Sequence, residues 1–152
     1  MKKTHKLIFI VALILILILT LAGYFFTNFY SIHGNFIVRM RVENYPIRSE
    51  VVNEQSKREL GLGGRSGLCT SCGMLFVFEK KERYAFWMKG MDFPIDILWI
   101  DNGKVINIEH DVSHLDQRRT YSSAEPAAMV LELPAGTCER EGITKGSRVG
   151  LQ

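Results

Sequence analysis

From Leu7 to Phe26 the chain is almost wholly apolar, and Thr20 and Gly23 are the only breaks in those 20 residues. At about 1.5 Å of rise per residue the run makes about 30 Å of helix, the thickness of a bilayer hydrocarbon core. A helix buried in a soluble core normally keeps a polar face or a shorter apolar run, so a membrane-spanning helix is predicted here. Beyond residue 35 the pattern breaks into short pieces. Phe36–Val42 alternates loosely and predicts a strand, Tyr45-Pro46 a turn, and Ile47–Val52 a second strand. Asn53 is a plausible N-cap for a short helix over Glu54–Leu60, closed by Gly61, Gly63 and Gly64. Met74–Phe78 and Tyr84–Met88 predict aromatic-rich strands on either side of a charged turn, Glu79–Arg83. Ile95–Ile100 and Lys104–Ile108 flank Asp101-Asn102-Gly103, whose Asn-Gly pair supplies the positive φ angles of a tight hairpin. A long polar segment, Asp111–Ala127, precedes a strand over Ala128–Leu133, a short helix around Cys138–Glu141 stopped by Gly142, and a last strand over Val149–Leu151. The fold class predicted is α+β: a transmembrane helix, then a small β-rich domain with an antiparallel or mixed, barrel-like sheet and two short helices.

Charge sharpens the first element. Lys2, Lys3 and Lys6 precede the apolar run, and no further Asp, Glu, Lys or Arg occurs until Arg39. Lysines on a short flank favour a cytoplasmic N-terminus. Tyr24, Phe25, Phe26, Phe29 and Tyr30 suit rings at a membrane interface. The chain thus divides into a flank and signal-anchor (1–30), a linker (31–35) and a globular domain (36–152) on the outer face of the cell membrane, with residues 7–26 in the bilayer. The rival is a signal peptide cleaved after Ala22, since Thr20-Leu21-Ala22 offers small-residue-like cleavage positions. Setting aside the three N-terminal lysines, 16 of the 19 Lys+Arg remain against 16 Asp+Glu. A neutral domain without a basic cluster argues against a nucleic-acid partner.

Five blocks then carry a resemblance. Gly61-Leu62-Gly63-Gly64-Arg65, Gly73–Phe78 (GMLFVF), Phe86-Trp87-Met88-Lys89, Pro94-Ile95-Asp96-Ile97 and Leu131–Gly136 (LELPAG) stand in that order. The set resembles the prokaryotic family named domain of unknown function 192, over nearly all of residues 37–151. The resemblance implies a compact β-rich fold, often preceded by a membrane or signal segment, and brings no settled activity. Gly63 stands where that family often has Met, and Cys69-x-x-Cys72 occupies a stretch usually free of cysteine, so chemistry on those sulfurs would be particular to this chain.

Candidate chemistry rests on a few polar residues. In an extended strand Asp96 shares a face with Leu98 and Ile100, and Glu132 lies within Met129–Leu133; a buried acid needs a partner. Arg65, with its planar fork, is the natural one. Arg65, Asp96 and Glu132 beside Trp87 and Met88 are the candidate ligand-binding residues for a small polar ligand or envelope partner, against a purely structural salt-bridge network. Paired as acid and base, Asp96 and Glu132 would instead give a hydrolytic enzyme. Cys69, Cys72 and Cys138 suggest one disulfide (69–72, or either to Cys138) plus a leftover thiol. The alternative is a thiol-redox enzyme through Cys69 and Cys72, whose C-x-x-C spacing is that of thiol–disulfide oxidoreductases, with Cys138 at a helix N-terminus that would lower its pKa. Cys69 and Cys72 are also half of a zinc site, to be completed by Cys138 and a histidine such as His110 or His114 near Asp111 and Asp116, but nothing in the spacing brings them together. No metal or cofactor is therefore predicted. Nucleophilic-serine, phosphate-loop and nucleotide fingerprints are missing from the sequence.

Overall fold

The computed structural model describes the backbone of residues 2–29, 31 and 33–152, and their side chains apart from residues 2–4, 6, 7 and 27–29. The apolar run forms helix α1 (Lys2–Phe29), within which Ile8–Phe26 is long and apolar enough to cross a membrane. That segment is not buried against the rest of the protein. A single such helix near an N-terminus is common to anchors and signal sequences. The flanking lysines Lys2, Lys3 and Lys6 and the rings of Phe29 and Tyr30 lie outside the described side chains.

Nine strands and two short helices follow: β1 (Phe36–Val42), β2 (Tyr45–Val52), α2 (Gln55–Leu60), β3 (Cys72–Glu82), β4 (Ala85–Trp87), β5 (Ile95–Asp101), β6 (Lys104–Val112), β7 (Thr120–Ser122), β8 (Ala127–Pro134), α3 (Thr137–Glu141) and β9 (Val149–Leu151). Seven strands form one sheet in the order β6-β5-β8-β3-β2-β1-β9, while β4 and β7 pair as a separate ribbon. β2 and β3 run parallel, joined by the crossover that carries α2, and the other pairs are antiparallel. The sheet curls until its edges meet. Lys104 bridges Arg148, Val105 N donates to Ser147 O at 2.9 Å, and Val149 N donates to Gly103 O at 2.8 Å. The result is an α+β domain with a mixed, half-barrel sheet.

Period-2 alternation gives the sheet two apolar faces. Met40, Val42, Ile47, Leu75, Leu98, Ile100, Leu131 and Leu133 pack on one, with Cys138 and Ile143 against them from the α3 side. Val52, Met74, Phe76, Ile95, Ile97, Trp99 and Val130 pack on the other, beneath Leu62 from the loop after α2, and beneath Met88, Met91 and Tyr121 from the ribbon and the loop that follows β4. Both faces are covered, so β5 is sealed through six of its seven positions.

Three local expectations shift. The first turn falls at Glu43-Asn44, with Glu43 at φ 50°, and Pro46 lies inside β2 opposite Arg41. β3 joins β2 only from Arg48 on, leaving Pro46 on a stretch open at one side, where a sheet tolerates proline. The charged Glu79–Glu82 segment continues β3 instead of turning, but its register against β8 slips between Val77 and Glu82. Finally, the polar segment after Asp111 contributes β7, whose Tyr121 sits opposite Phe86 of β4. The Asn102-Gly103 hairpin forms with both residues at positive φ, 47° and 68°.

Candidate functional site

Strand register decides which carboxylates can meet. Ile97, Glu132, Met74 and Glu50 lie opposite one another across β5, β8, β3 and β2, so their side chains share the ribbon-covered face. Asp96 pairs with Leu133, one position along, and therefore points to the α3 face. Asp96 and Glu132 are on opposite sides of the sheet. They do not form an acid–base pair, and Arg65 binds neither of them directly.

Glu132 lies at the base of a cleft of about 520 Å³ between α2, the end of β3 and β4. The residue is 5% exposed, and its Oε2 has no hydrogen-bond partner. Burial pushes its pKa up to about 8, with the Arg65 charge pulling weakly the other way. At neutral pH this side chain is thus largely a neutral carboxylic acid in an apolar setting. Phe76, Phe78, Tyr84, Phe86 and Trp87 line the walls. Phe86 organises them: its ring meets Phe76 edge-on at 4.9 Å and Trp99 at 6.2 Å. Phe78 stacks on Tyr84 at 3.5 Å and carries the Arg58 guanidinium 5.3 Å above its centroid. Trp87 and Leu60 are 47% and 67% exposed at the cleft. Met88, grouped with Trp87 in the sequence, is fully buried core instead.

Arg65 is bidentate to Glu50, at 2.6 and 3.0 Å, with both side chains mostly buried. Asn35 Nδ2 donates to the same carboxylate at 2.9 Å. Burial raises the Glu50 pKa, but hydrogen bonds from Arg65, Asn35 and Ser31 and the Arg65 charge outweigh it and hold the group at about 2. The sequence held a signal for Glu50, which shares a face with the buried Val52; Arg58 gave no comparable sign. This pair opens on a second cleft, beside Cys69 and Cys72.

Asp96 is fully buried and accepts three backbone N–H bonds: from Asp111 at 2.9 Å and Gly136 at 3.2 Å on Oδ1, and from Cys138 at 2.8 Å on Oδ2. It pins the β6 end and the start of α3 to the sheet. That is the hydrogen-bonded solution to a buried acid, in place of an arginine. Cys138 is free and buried. Burial, then the Asp96 and Asp111 charges and a hydrogen bond to Asp96, push its thiol pKa up, the reverse of an activated nucleophile. Cys69 and Cys72 are bonded to each other, so they are not free to complete a site with Cys138. Among the described residues, Asp96, His110 and Cys138 do bring an oxygen, a nitrogen and a sulfur within 4.8 Å of one another. Those residue types suit a zinc-like ion, but the three amides already on Asp96 account for its position without one. His114, Asp111 and Asp116 do not belong to that group.

No curated protein matches the chain. Among the crystal structures that share the fold, a protein of Sinorhizobium meliloti 1021, described as a candidate transcription regulator, is 31% identical with a TM-score of 0.74, over 77% of this chain and 95% of that one. A protein of unknown function from Novosphingobium aromaticivorans DSM 12444 is 28% identical with a TM-score of 0.75, over 80% of this chain and 89% of that one. Residues 37–151, from β1 to the last residue of β9, match the family DUF192, described as Uncharacterized ACR, and the chain belongs to that family.

Proposed function

We propose that the protein is a non-catalytic binding module, anchored in the cell membrane by α1 with its N-terminus cytoplasmic, that takes a small polar ligand in the Trp87/Glu132 cleft on the outer face. One observation carries the binding reading: Glu132 presents a buried, unpartnered carboxyl oxygen to an open cleft with aromatic walls. Such an atom costs about 1–3 kcal/mol where nothing bonds to it, and a ligand donor removes that cost. The separation of Asp96 from Glu132 by the sheet removes that acid–base pair, which suits binding better than paired hydrolysis. The anchor reading rests on Ile8–Phe26 and on the lysine flank. The Cys69–Cys72 bridge agrees with an oxidising, exported setting. The balanced charge of residues 36–152 gives no support to nucleic acid as the ligand.

The test is a thermal-shift screen of small polar compounds against the full chain in non-ionic micelles, followed by titration of each hit. Hits should lose about tenfold or more in affinity in Trp87→Ala and in Glu132→Gln, a change of about 1.4 kcal/mol. Hits that bind both variants as tightly as the natural protein would place the ligand elsewhere.

A further inference from the structure

The cleft is built for a particular charge. Its lining holds four acids, Glu59, Glu79, Glu82 and Glu132, against three bases, Arg58, Lys80 and Lys89. One unit of negative charge is therefore uncompensated when Glu132 is ionised. Among the described residues, no cation is hydrogen-bonded to the free oxygen of that carboxyl. Arg65 is held in its two-point pair with Glu50, and Arg58 is bound to the carbonyl oxygens of Asn53 and Val77 over the Phe78 ring. The cleft wall thus already places one cation on an aromatic face. Ring faces attract positive charge most strongly where water is excluded, and a buried carboxyl is relieved most by an opposite charge that also donates to it.

We propose that the ligand of this cleft is an organic ammonium, a primary or quaternary amine on a small apolar body, held between the Glu132 carboxyl and the aromatic walls that Phe86 and Trp87 provide. The proposal rests on the cleft being the binding site. A neutral hydroxyl could also donate to Oε2, but it would bring no charge to offset an ionised Glu132 and would gain no cation–π attraction from the ring faces. The high pKa of Glu132 fits a carboxyl whose counter-cation has to arrive with the ligand.

Isosteric pairs decide the matter in the full chain, in maltoside micelles, by titration calorimetry. Choline is compared with 3,3-dimethylbutan-1-ol, and benzylammonium with benzyl alcohol, on the natural protein, Glu132→Gln and Trp87→Ala. Each ammonium is expected to bind about tenfold or more tightly than its neutral isostere. Glu132→Gln should remove that preference, bringing each ammonium to the affinity of its neutral isostere in the same variant, and Trp87→Ala should weaken both. Neutral isosteres that bind as tightly as the ammoniums, with Trp87→Ala still weakening them, would overturn the ammonium and leave the cleft standing. If no member of either pair shows binding sensitive to Trp87→Ala, the ammonium proposal is overturned, and the cleft reading then stands or falls on the wider screen. The comparison of isosteres on the natural protein decides the point even if Glu132→Gln fails to fold.

Discussion

Glu50 and Glu132 stand two strands apart on one row of the sheet, and the protein treats their protons in opposite ways. Glu50, held at about 2 against an ordinary 4.5, binds fewer protons folded than unfolded. Its stabilisation is present above pH 4.5 and is lost as pH falls toward 2. Glu132, raised to about 8, binds more protons folded. Its contribution is full below pH 4.5 and is lost as pH climbs to about 8. Denaturant unfolding across pH should therefore show a rising limb up to about 4.5 and a falling component beyond it, on the order of a few kcal/mol in all. In Glu132→Gln the falling component should disappear, and a parallel curve for that variant would refute the assignment. Arg65→Ala should lose about 1.5–3 kcal/mol, the range for hydrogen bonds to a charged group, and lift the Glu132 pKa further. Asp96→Asn turns an acceptor toward three N–H groups into a half-donor and should cost on the order of 3 kcal/mol. Ligand binding at the cleft should survive it, since Asp96 faces the other side. That cost is read from urea melts, and that survival from calorimetry.

At the scale of elements, the cleft exists because β3 loses register with β8 after Val77 while β4 leaves the main sheet to pair with β7. Gly73 is needed one row from Glu132, because a Cβ there would lie 3.0 Å from Glu132 O and 3.0 and 3.1 Å from the tips of Leu133 and Leu131. Gly73→Ala should cost about 1–3 kcal/mol through overpacking, visible as a lowered melting temperature. What could be read from sequence follows the range of the interaction. The Asn102-Gly103 hairpin, the αL stop at Gly142 and the alternation of β5 depend on neighbours along the chain, and all were legible. The β4–β7 ribbon was not, because its partners are 35 residues apart, as Phe86 and Tyr121 show, and nothing local marks three polar-flanked residues as a strand. The candidate site divides in the same way. Trp87 and Glu132 could be picked out one at a time, whereas pairing Arg65 with Glu50 and turning Asp96 away from Glu132 depended on register between distant strands.

For the whole molecule, the anchoring proposal predicts that the full chain stays with the membrane pellet through alkaline carbonate washing. Release into the supernatant, with a mature N-terminus near Gly23, would mean a cleaved signal peptide and leave the cleft proposals intact. Cys138 should resist an aromatic disulfide reagent in the folded protein and react only after unfolding, because its thiol is buried and its pKa raised.

The pairing of β1 with β9 carries a consequence for how the protein is made. Met40 is opposite Leu151 and Val42 opposite Val149, so the first strand of the domain is flanked on one side by residues from far along the chain. A chain grows from the N-terminus, and closure between distant segments comes late and slowly. Until β9 emerges, β1 has an open edge, and the contact that joins Lys104 to Arg148 has to wait for residue 148. A nascent chain thus keeps this edge of β1 unpaired until β9 has been made. Shortening the chain by its last four residues should therefore slow the final folding step and lower stability together, in refolding and melting experiments on the truncated and full chains.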